Sequence, residues 1–121
     1  MKTMMISAFA FLTLANVASA AVVNSASVDA ARGLLLVNVT YGGGCAEHKF
    51  KLEVGACLES FPVRCGVTVT DLTKNDFCEA LISQDLEFSL AEYGLTDSYY
   101  EGASLAITGS DGKSVNVKLP R

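Results

Sequence analysis

LLVNVTY, residues 35–41, places the side chains at positions 35, 37, 39 and 41 on one side of an extended chain, with Asn38 and Thr40 on the other. This period of two is typical of a half-buried β-strand. The alternation returns over residues 50–54, 67–70, 86–90, 105–107 and 115–119, and more weakly over 22–29 and 77–83. The pattern predicts an all-β protein of about eight short strands.

Turn signals between these runs favour one antiparallel β-sandwich of the immunoglobulin-like type over residues 21–121. Asp111-Gly112 separates the last two runs and predicts a hairpin with a type I′ turn, since both residues tolerate positive φ. Gly55-Ala56 shifts the alternation by one residue and predicts a β-bulge. The expected core is Leu35, Val37, Val39, Phe50, Leu52, Val67, Val69, Phe88, Leu105, Ile107 and Val117.

One segment departs from the strand pattern. The S-x-x-E run that starts at Ser89 fits a capping box, and Phe88 with Tyr93 would form the hydrophobic staple around it. Gly94 is suited to end a helix there. We therefore expect a one-turn helix from Leu90 to Tyr93, followed by an irregular crossing to the next strand.

The first twenty residues have the features of an export signal. Lys2 precedes an apolar stretch, Met4 to Ala15, and Ala18-Ser19-Ala20 has the small-x-small pattern that a signal peptidase needs. The apolar stretch is shorter than the roughly twenty residues that span a bilayer, and the alternative, a buried N-terminal helix, would show a polar side. We expect cleavage after Ala20, a mature domain of residues 21–121, no membrane span, and a periplasmic or secreted product.

The composition excludes some classes of partner. The chain has 121 residues, enough for one domain, and 13 acidic against 9 basic side chains give a formal net charge of −4. Nucleic acid is disfavoured, because neutralising phosphates requires a clustered basic patch. Only 18% of the residues are charged and half are apolar, which argues against intrinsic disorder.

Four cysteines lie in the predicted mature chain. In an exported protein of this size an even number of cysteines usually forms disulfides, and three pairings are open. Cys57 and Cys65 bracket a seven-residue segment, so a bridge there would close the base of a loop. We favour this pair together with Cys45–Cys78.

His48 is the one histidine of the chain. With Cys45 it forms a C-x2-H pair, so a structural zinc site is an alternative, but zinc ligands normally come in close pairs and a second pair is missing. A hydrolase would need a nucleophile beside His48 and a third group to orient the ring. We predict no enzyme activity, no cofactor and no metal, with His48 a partly exposed structural residue at a strand start.

Five carboxylates lie close together in the sequence: Asp71, Asp76, Glu79, Asp85 and Glu87. A calcium loop would need six to eight suitably placed oxygens, and the spacing of an EF-hand is missing. We interpret this acidic run as a solvated surface of the protein.

Residues 41–48, YGGGCAEH, are the main candidate for a functional site. Three consecutive glycines end a predicted strand, and glycine permits positive φ or a close approach of backbone. A tight connection between strands is one interpretation; a rigid recognition loop is the other. Two neighbouring tyrosines offer large contact area at low entropic cost. The predicted binding residues are Gly42, Gly43, Gly44, Glu47, His48, Asp76, Tyr99 and Tyr100.

The same residues carry a resemblance. A strand ending Tyr-Gly-Gly-Gly-Cys-x-x-His-x-Phe, then Ser-Phe-Pro, Asn-Asp-x-Cys-Glu-Ala and Leu-x-Phe-x-Leu, resembles a group of small exported bacterial proteins of unknown activity. In this chain the pattern lies at residues 41–50, 60–62, 75–80 and 86–90, and Phe77 stands where the group usually has proline. The resemblance implies a Cys45–Cys78 bridge with Cys57–Cys65 as an additional pair. It implies no activity.

These observations favour a non-enzymatic module of the bacterial envelope or secretome that binds another protein. The prediction depends on a small disulfide-bonded scaffold that holds loops on rigid strands. A structural or assembly component of the envelope is one alternative. A small hydrolase that uses His48 is the other.

Overall fold

The computed structural model describes residues 21–121 of the chain. Within this range the alternating runs form strands, because each run can bury one row of apolar side chains while its polar row faces water. One short 3₁₀ helix, Ser98–Tyr100, lies between the last two strands and the rest. The strands are β1 (Ala21–Asp29), β2 (Leu34–Gly43), β3 (Phe50–Leu58), β4 (Arg64–Asp71), β5 (Ala80–Ser89), β6 (Ser104–Thr108) and β7 (Ser114–Lys118).

The strands form two sheets, in the orders β1-β2-β5 and β3-β4-β6-β7. The all-β class is confirmed, but the purely antiparallel arrangement is wrong at one pair: β4 and β6 are parallel. Their directions match because the chain passes through β5, in the other sheet, between them. The immunoglobulin-like sandwich topology stays a prediction.

The described chain has seven strands, not eight. The stretches 77–83 and 86–90, which we expected to be separate, belong to the single strand β5. Its ladder with β2 is unbroken from Ala80, opposite Gly43, to Ser89, opposite Leu34. A continuous ladder leaves no gap at which the strand could divide.

One hydrophobic core joins residues from both sheets. Nine of the eleven predicted core residues are buried, and Phe50 and Val117 are half-buried and packed against them. The core also contains residues outside the predicted set: Ala21, Val23, Tyr41, Val63, Cys65, Leu86, Leu90, Leu95, Ala103 and Leu119. Parity along the strands therefore identified nine core residues correctly.

The predicted helix from Leu90 to Tyr93 is wrong; the segment forms turns. The capping interaction itself is present, since the Glu92 amide donates to Ser89 Oγ at 3.3 Å. The expected staple contact between Phe88 and Tyr93 is an edge-to-face ring pair at 5.8 Å. No helix follows because the Leu95 amide bonds back to Leu90 O and closes the chain into a turn.

Two other local predictions have different outcomes. The bulge at Gly55-Ala56 is confirmed, because the β3–β4 register shifts between Val54 and Cys57. Asp111-Gly112 does connect the antiparallel strands β6 and β7. The type I′ turn is wrong, since of these two residues Gly112 alone has positive φ, +81°. The loop is longer than two residues, because the last pair of the ladder is Thr108 with Ser114, and the Gly112 amide bonds to Gly109 O within it.

Both disulfides, Cys45–Cys78 and Cys57–Cys65, are present as predicted. They use all four thiols of the chain, so the alternative zinc site has no thiolate to offer. The predicted signal peptide, residues 1–20, lies outside the described residues. Within residues 21–121, no helix is long and apolar enough to cross a membrane.

Candidate functional site

His48 lies between two carboxylates where β2, β3 and β4 meet. Its Nδ1 is 2.5 Å from Asp71 Oδ2, and its Nε2 is 2.7 Å from Asp76 Oδ2. The three side chains are 1–2% exposed. Asp71 ends β4, whereas Asp76 belongs to the connection that leads to β5. The expectation of a partly exposed His48 is therefore wrong, since both carboxylates and the Tyr41 ring cover it.

The arrangement favours a protonated imidazole. A neutral imidazole has one N–H and can donate to only one carboxylate, whereas both ring nitrogens of His48 face carboxylate oxygens. Burial by itself lowers the pKa of His48, but hydrogen bonds to Asp76 and Asp71 and the charges of these carboxylates outweigh it. The pKa of His48 is therefore raised above its ordinary value of 6.5.

Asp76 is the centre of the site, because one carboxylate binds two loops. It accepts hydrogen bonds from the backbone amides of Gly44 (3.1 Å), Cys45 (3.3 Å) and Ala46 (3.2 Å). It also accepts from the backbone amide of Cys78, at 3.3 Å. The imidazolium and these amides lower the pKa of Asp76 to about 2, against the opposing effect of burial. The carboxylate stays ionised throughout the physiological range.

Asp71 holds the other side of the ring. Its second oxygen, Oδ1, accepts from the Thr73 amide at 2.9 Å, and Thr73 Oγ1 accepts from the Lys49 amide at 2.8 Å. Asp71 has the same strand parity as the buried residues Val67 and Val69, so its side chain points inward. The interpretation of the acidic run as a solvated surface is thus wrong for Asp71 and Asp76. It is correct for Glu79, Asp85 and Glu87, which are exposed.

An aromatic side chain closes the site toward the core. The ring of Tyr41 stacks on that of His48 with centroids 4.3 Å apart, and Tyr41 Oη donates to Gln84 Oε1 at 2.8 Å. Burial and the charges of Asp71 and Asp76 raise the pKa of the Tyr41 phenol. A flat cation over the face of an aromatic ring is a favourable contact.

Gly43 occupies a position of the site at which no other residue fits. Its φ is +153°, and a Cβ added there would lie 2.5 Å from Asp76 Oδ2 and 2.8 Å from His48 Nε2. Gly44, at φ +113°, turns the chain so that the next amides point at the same carboxylate. The glycine run thus serves close approach of backbone to a buried ion pair.

We expect Gly43→Ala to destabilise the protein by about 2–4 kcal/mol, because the new methyl group displaces the Asp76–His48 pair and the backbone is strained. Gly42→Ala is the matched control, since a Cβ there meets nothing within 4 Å. We expect it to leave stability unchanged or raise it by about 0.4–1 kcal/mol. Urea unfolding measures both, and equal effects would contradict the role given to Gly43.

We expect stability to be highest between about pH 4 and 6.5 and to fall on both sides of this range. The raised pKa of His48 adds stability that is complete below 6.5 and is lost as pH rises through the folded-state pKa. The lowered pKa of Asp76 adds stability that is complete above 3.8 and is lost as pH falls toward about 2. Urea midpoints across pH test this, and His48→Gln should flatten the alkaline side.

The parts of this site that reach the surface differ from the predicted set. His48 and Asp76 are covered, whereas Glu47, which directly precedes His48 in the connection between β2 and β3, is exposed. Phe77 is 80% exposed and Leu81 is 81% exposed. Phe77 follows Asp76 directly, and Leu81 is the second residue of β5, so both lie near the anchored segment along the chain. We call Glu47, Phe77 and Leu81 the loop surface; sequence reasoning missed the last two.

Tyr99 and Tyr100 are far from the loop surface. They belong to the 3₁₀ helix just before β6, whose first residue, Ser104, is paired with Arg64 at the start of β4. The loop site is at the other end of β4, about 25 Å away at the usual rise of a strand. The predicted binding residues thus form two groups, at opposite ends of the sheets.

The site has little capacity for acid–base or metal chemistry in this arrangement. Both nitrogens of His48 are bound to carboxylates, so neither is free to take a proton from a substrate. Ligand atoms of Cys45, Asp76 and Cys78 lie within 4.8 Å of one another. The two sulfurs are joined in a disulfide, and metals bind thiolates rather than disulfides. The geometry suits rigid placement of a loop.

Compared with models of known protein families, with curated proteins and with solved structures, the chain matches none of them.

Proposed function

We propose that the protein is a non-enzymatic, exported module that binds another protein through the loop surface. One observation carries this proposal. A single buried carboxylate, Asp76, anchors the glycine-rich loop and the segment that begins β5, and exposed Phe77 lies directly between Asp76 and the disulfide-bonded Cys78.

Rigidity is the physical advantage of this arrangement. Binding loses free energy when loops and side chains must be ordered, so a loop that is already held costs less to bind. Exposed aromatic side chains are also the typical anchors of protein–protein interfaces. Phe77 and Leu81 combine both properties, because their backbone is fixed and their side chains remain in water.

The buried imidazole supports a binding function over the alternative hydrolase. A general base must be within reach of the proton that it abstracts, and the nitrogens of His48 contact Asp71 and Asp76 instead. Glu47, the charged member of the loop surface, would add polar specificity at the rim of the interface.

Capture from envelope extract on immobilised, oxidised protein tests the proposal. We expect one or a few proteins to bind the wild type and to be lost with Phe77→Ala. The matched control is Phe61→Ala, which removes an equally exposed phenylalanine (97%) at the opposite end of the molecule. A partner that binds both variants equally would refute the loop surface, and concentration-dependent oligomers by light scattering would favour an assembly component instead.

We further propose that the protein works in the periplasm or outside the cell. Two disulfides agree with an oxidising compartment. The mass of exported protein, measured without reductant, should equal that of a chain starting at Ala21 with four hydrogens lost to the two bridges. A chain that keeps residues 1–20, or four alkylatable thiols, would contradict this.

A further inference from the structure

A second surface lies on the outer side of the four-stranded sheet, far from the loop surface. Arg64 of β4 pairs with Ser104 of β6, which pairs with Lys118 of β7. Directly paired residues point to the same side of a sheet, and their neighbours Cys65 and Leu105 are buried, so this row points outward. The two cationic residues are two strand spacings apart, about 10 Å, which their long side chains can bridge.

The next row of the same face is made of small residues. Gly66 is followed across the sheet by Ala106 and then Asn116. A Cβ added to Gly66 would meet nothing within 4 Å, so the sheet has an open depression there. Together with Arg64 and Ser104, this row lines a groove of about 490 Å³, within the size range of small-molecule sites. Lys118 lines the depression that adjoins this groove.

Apolar side chains stand at one end of this groove. Leu58 lines it and is 66% exposed, and an adjoining depression of about 330 Å³ is lined by Leu58, Phe61 and Arg64. Phe61 is 97% exposed. Large apolar side chains held in water beside an open groove are typical of a surface that a ligand covers.

The charges of the groove select an anion. Within residues 21–121, neither Arg64 nor Lys118 has an acidic group within ion-pair distance, whereas Glu53, on the same face, is paired with Lys51 at 3.6 Å. The chain as a whole has a net charge of −4, so two cationic side chains in one row give this face a positive charge opposite in sign to that of the chain. Arginine is suited to bind a carboxylate through two parallel hydrogen bonds.

We propose that this groove binds a small organic carboxylate with an apolar body. The carboxylate lies between Arg64 and Lys118 and accepts from the Ser104 hydroxyl. The apolar body lies over Gly66 and Ala106, beside the exposed apolar side chains at the groove's end. The site is independent of the loop surface, so the proposal goes beyond the function proposed above.

Titration with 4-phenylbutyrate, followed by amide NMR shifts, tests the proposal. We expect saturable shifts at Gly66, Ala106 and Asn116 with a dissociation constant of about 1 mM or tighter. The neutral analogue 4-phenylbutanol should bind at least about threefold more weakly, because it lacks the charge that the two cations attract. Acetate, which lacks the apolar body, should cause no saturable shift. Equal affinity for acid and alcohol, or shifts elsewhere on the protein, would overturn the proposal.

Filling the groove separates this site from non-specific binding. Gly66→Val should weaken 4-phenylbutyrate binding at least about tenfold, because the side chain occupies the groove. Ala106→Leu repeats the test from β6 should the first variant fold poorly, and Thr68→Val, two residues along the outer face of β4, is the matched control with unchanged binding. Unchanged affinity in a folded groove variant refutes the site. Phe77→Ala, which tests the proposed function, should bind 4-phenylbutyrate normally.

Discussion

We expect Asp76→Asn to lower the melting temperature by about 10 °C or more, the largest effect of any single polar substitution in the described chain. Both carboxylate oxygens accept backbone amides: Oδ2 from Gly44 and Ala46, and Oδ1 from Cys45 and Cys78. An asparagine amide has one acceptor and one donor group, so in either orientation its NH₂ faces amides that also donate. The buried imidazolium loses one of its two carboxylate partners at the same time.

Thermal unfolding followed by circular dichroism measures this effect. Asp111→Asn is the matched control, because it removes the same charge from an exposed carboxylate that accepts one backbone amide, that of Lys113, at 3.2 Å. We expect the control to change the melting temperature by a few degrees at most. A similar shift for both variants would show that the effect comes from the lost charge and not from the lost hydrogen bonds between Asp76 and the backbone amides.

We expect removal of the Cys45–Cys78 bridge to destabilise the protein by about 4 kcal/mol, and removal of Cys57–Cys65 by about 2.5 kcal/mol. The reason is loop entropy in the unfolded chain, since the bridges close sequence separations of 33 and 8 residues. The first bridge also fixes the amides of Cys45 and Cys78 against Asp76, so its loss weakens the site in the folded state.

Urea unfolding of the two double-alanine variants provides the comparison. The ranking is the decisive result, because absolute entropic values are not additive for nested loops. A larger loss from the Cys57–Cys65 variant would contradict the central place of the loop site. The pH dependence of stability offers an independent readout. In the Cys45–Cys78 variant the fall of stability at alkaline pH should be smaller, whereas the Cys57–Cys65 variant should retain it in full.

Local patterns explain which features the sequence could predict. Alternation located the strands and nine buried core residues, because the side on which a side chain points follows directly from its parity in a strand. The Gly55-Ala56 bulge was predictable for the same reason. Parity also puts Asp71 on the same side as Val67 and Val69 and so predicts that it is buried. We expected an exposed side chain instead, because the residue is charged.

Other features depended on neighbours distant in the sequence. The merging of two predicted strands into β5 requires the unbroken ladder of β2, and the parallel β4–β6 pair requires the passage through the other sheet. The groove over Gly66 and Ala106 exists because the register places two small residues side by side. None of these arrangements can be predicted from a single segment of the sequence, because each depends on the strand that lies beside it.

By itself, the sequence determined the all-β class, the apolar rows of most strands and the presence of four cysteines that can form two disulfides, and it marked the glycine-rich loop as a candidate site. These properties depend on local periodicity and residue chemistry. Only the tertiary structure decided that His48 lies between Asp71 and Asp76 as a buried cation, that Asp76 binds two loops, and that Phe77 remains in water. The physical reason is that protonation, burial and exposure depend on which groups meet, and these groups meet only when the loops between β2 and β3 and between β4 and β5 fold against each other.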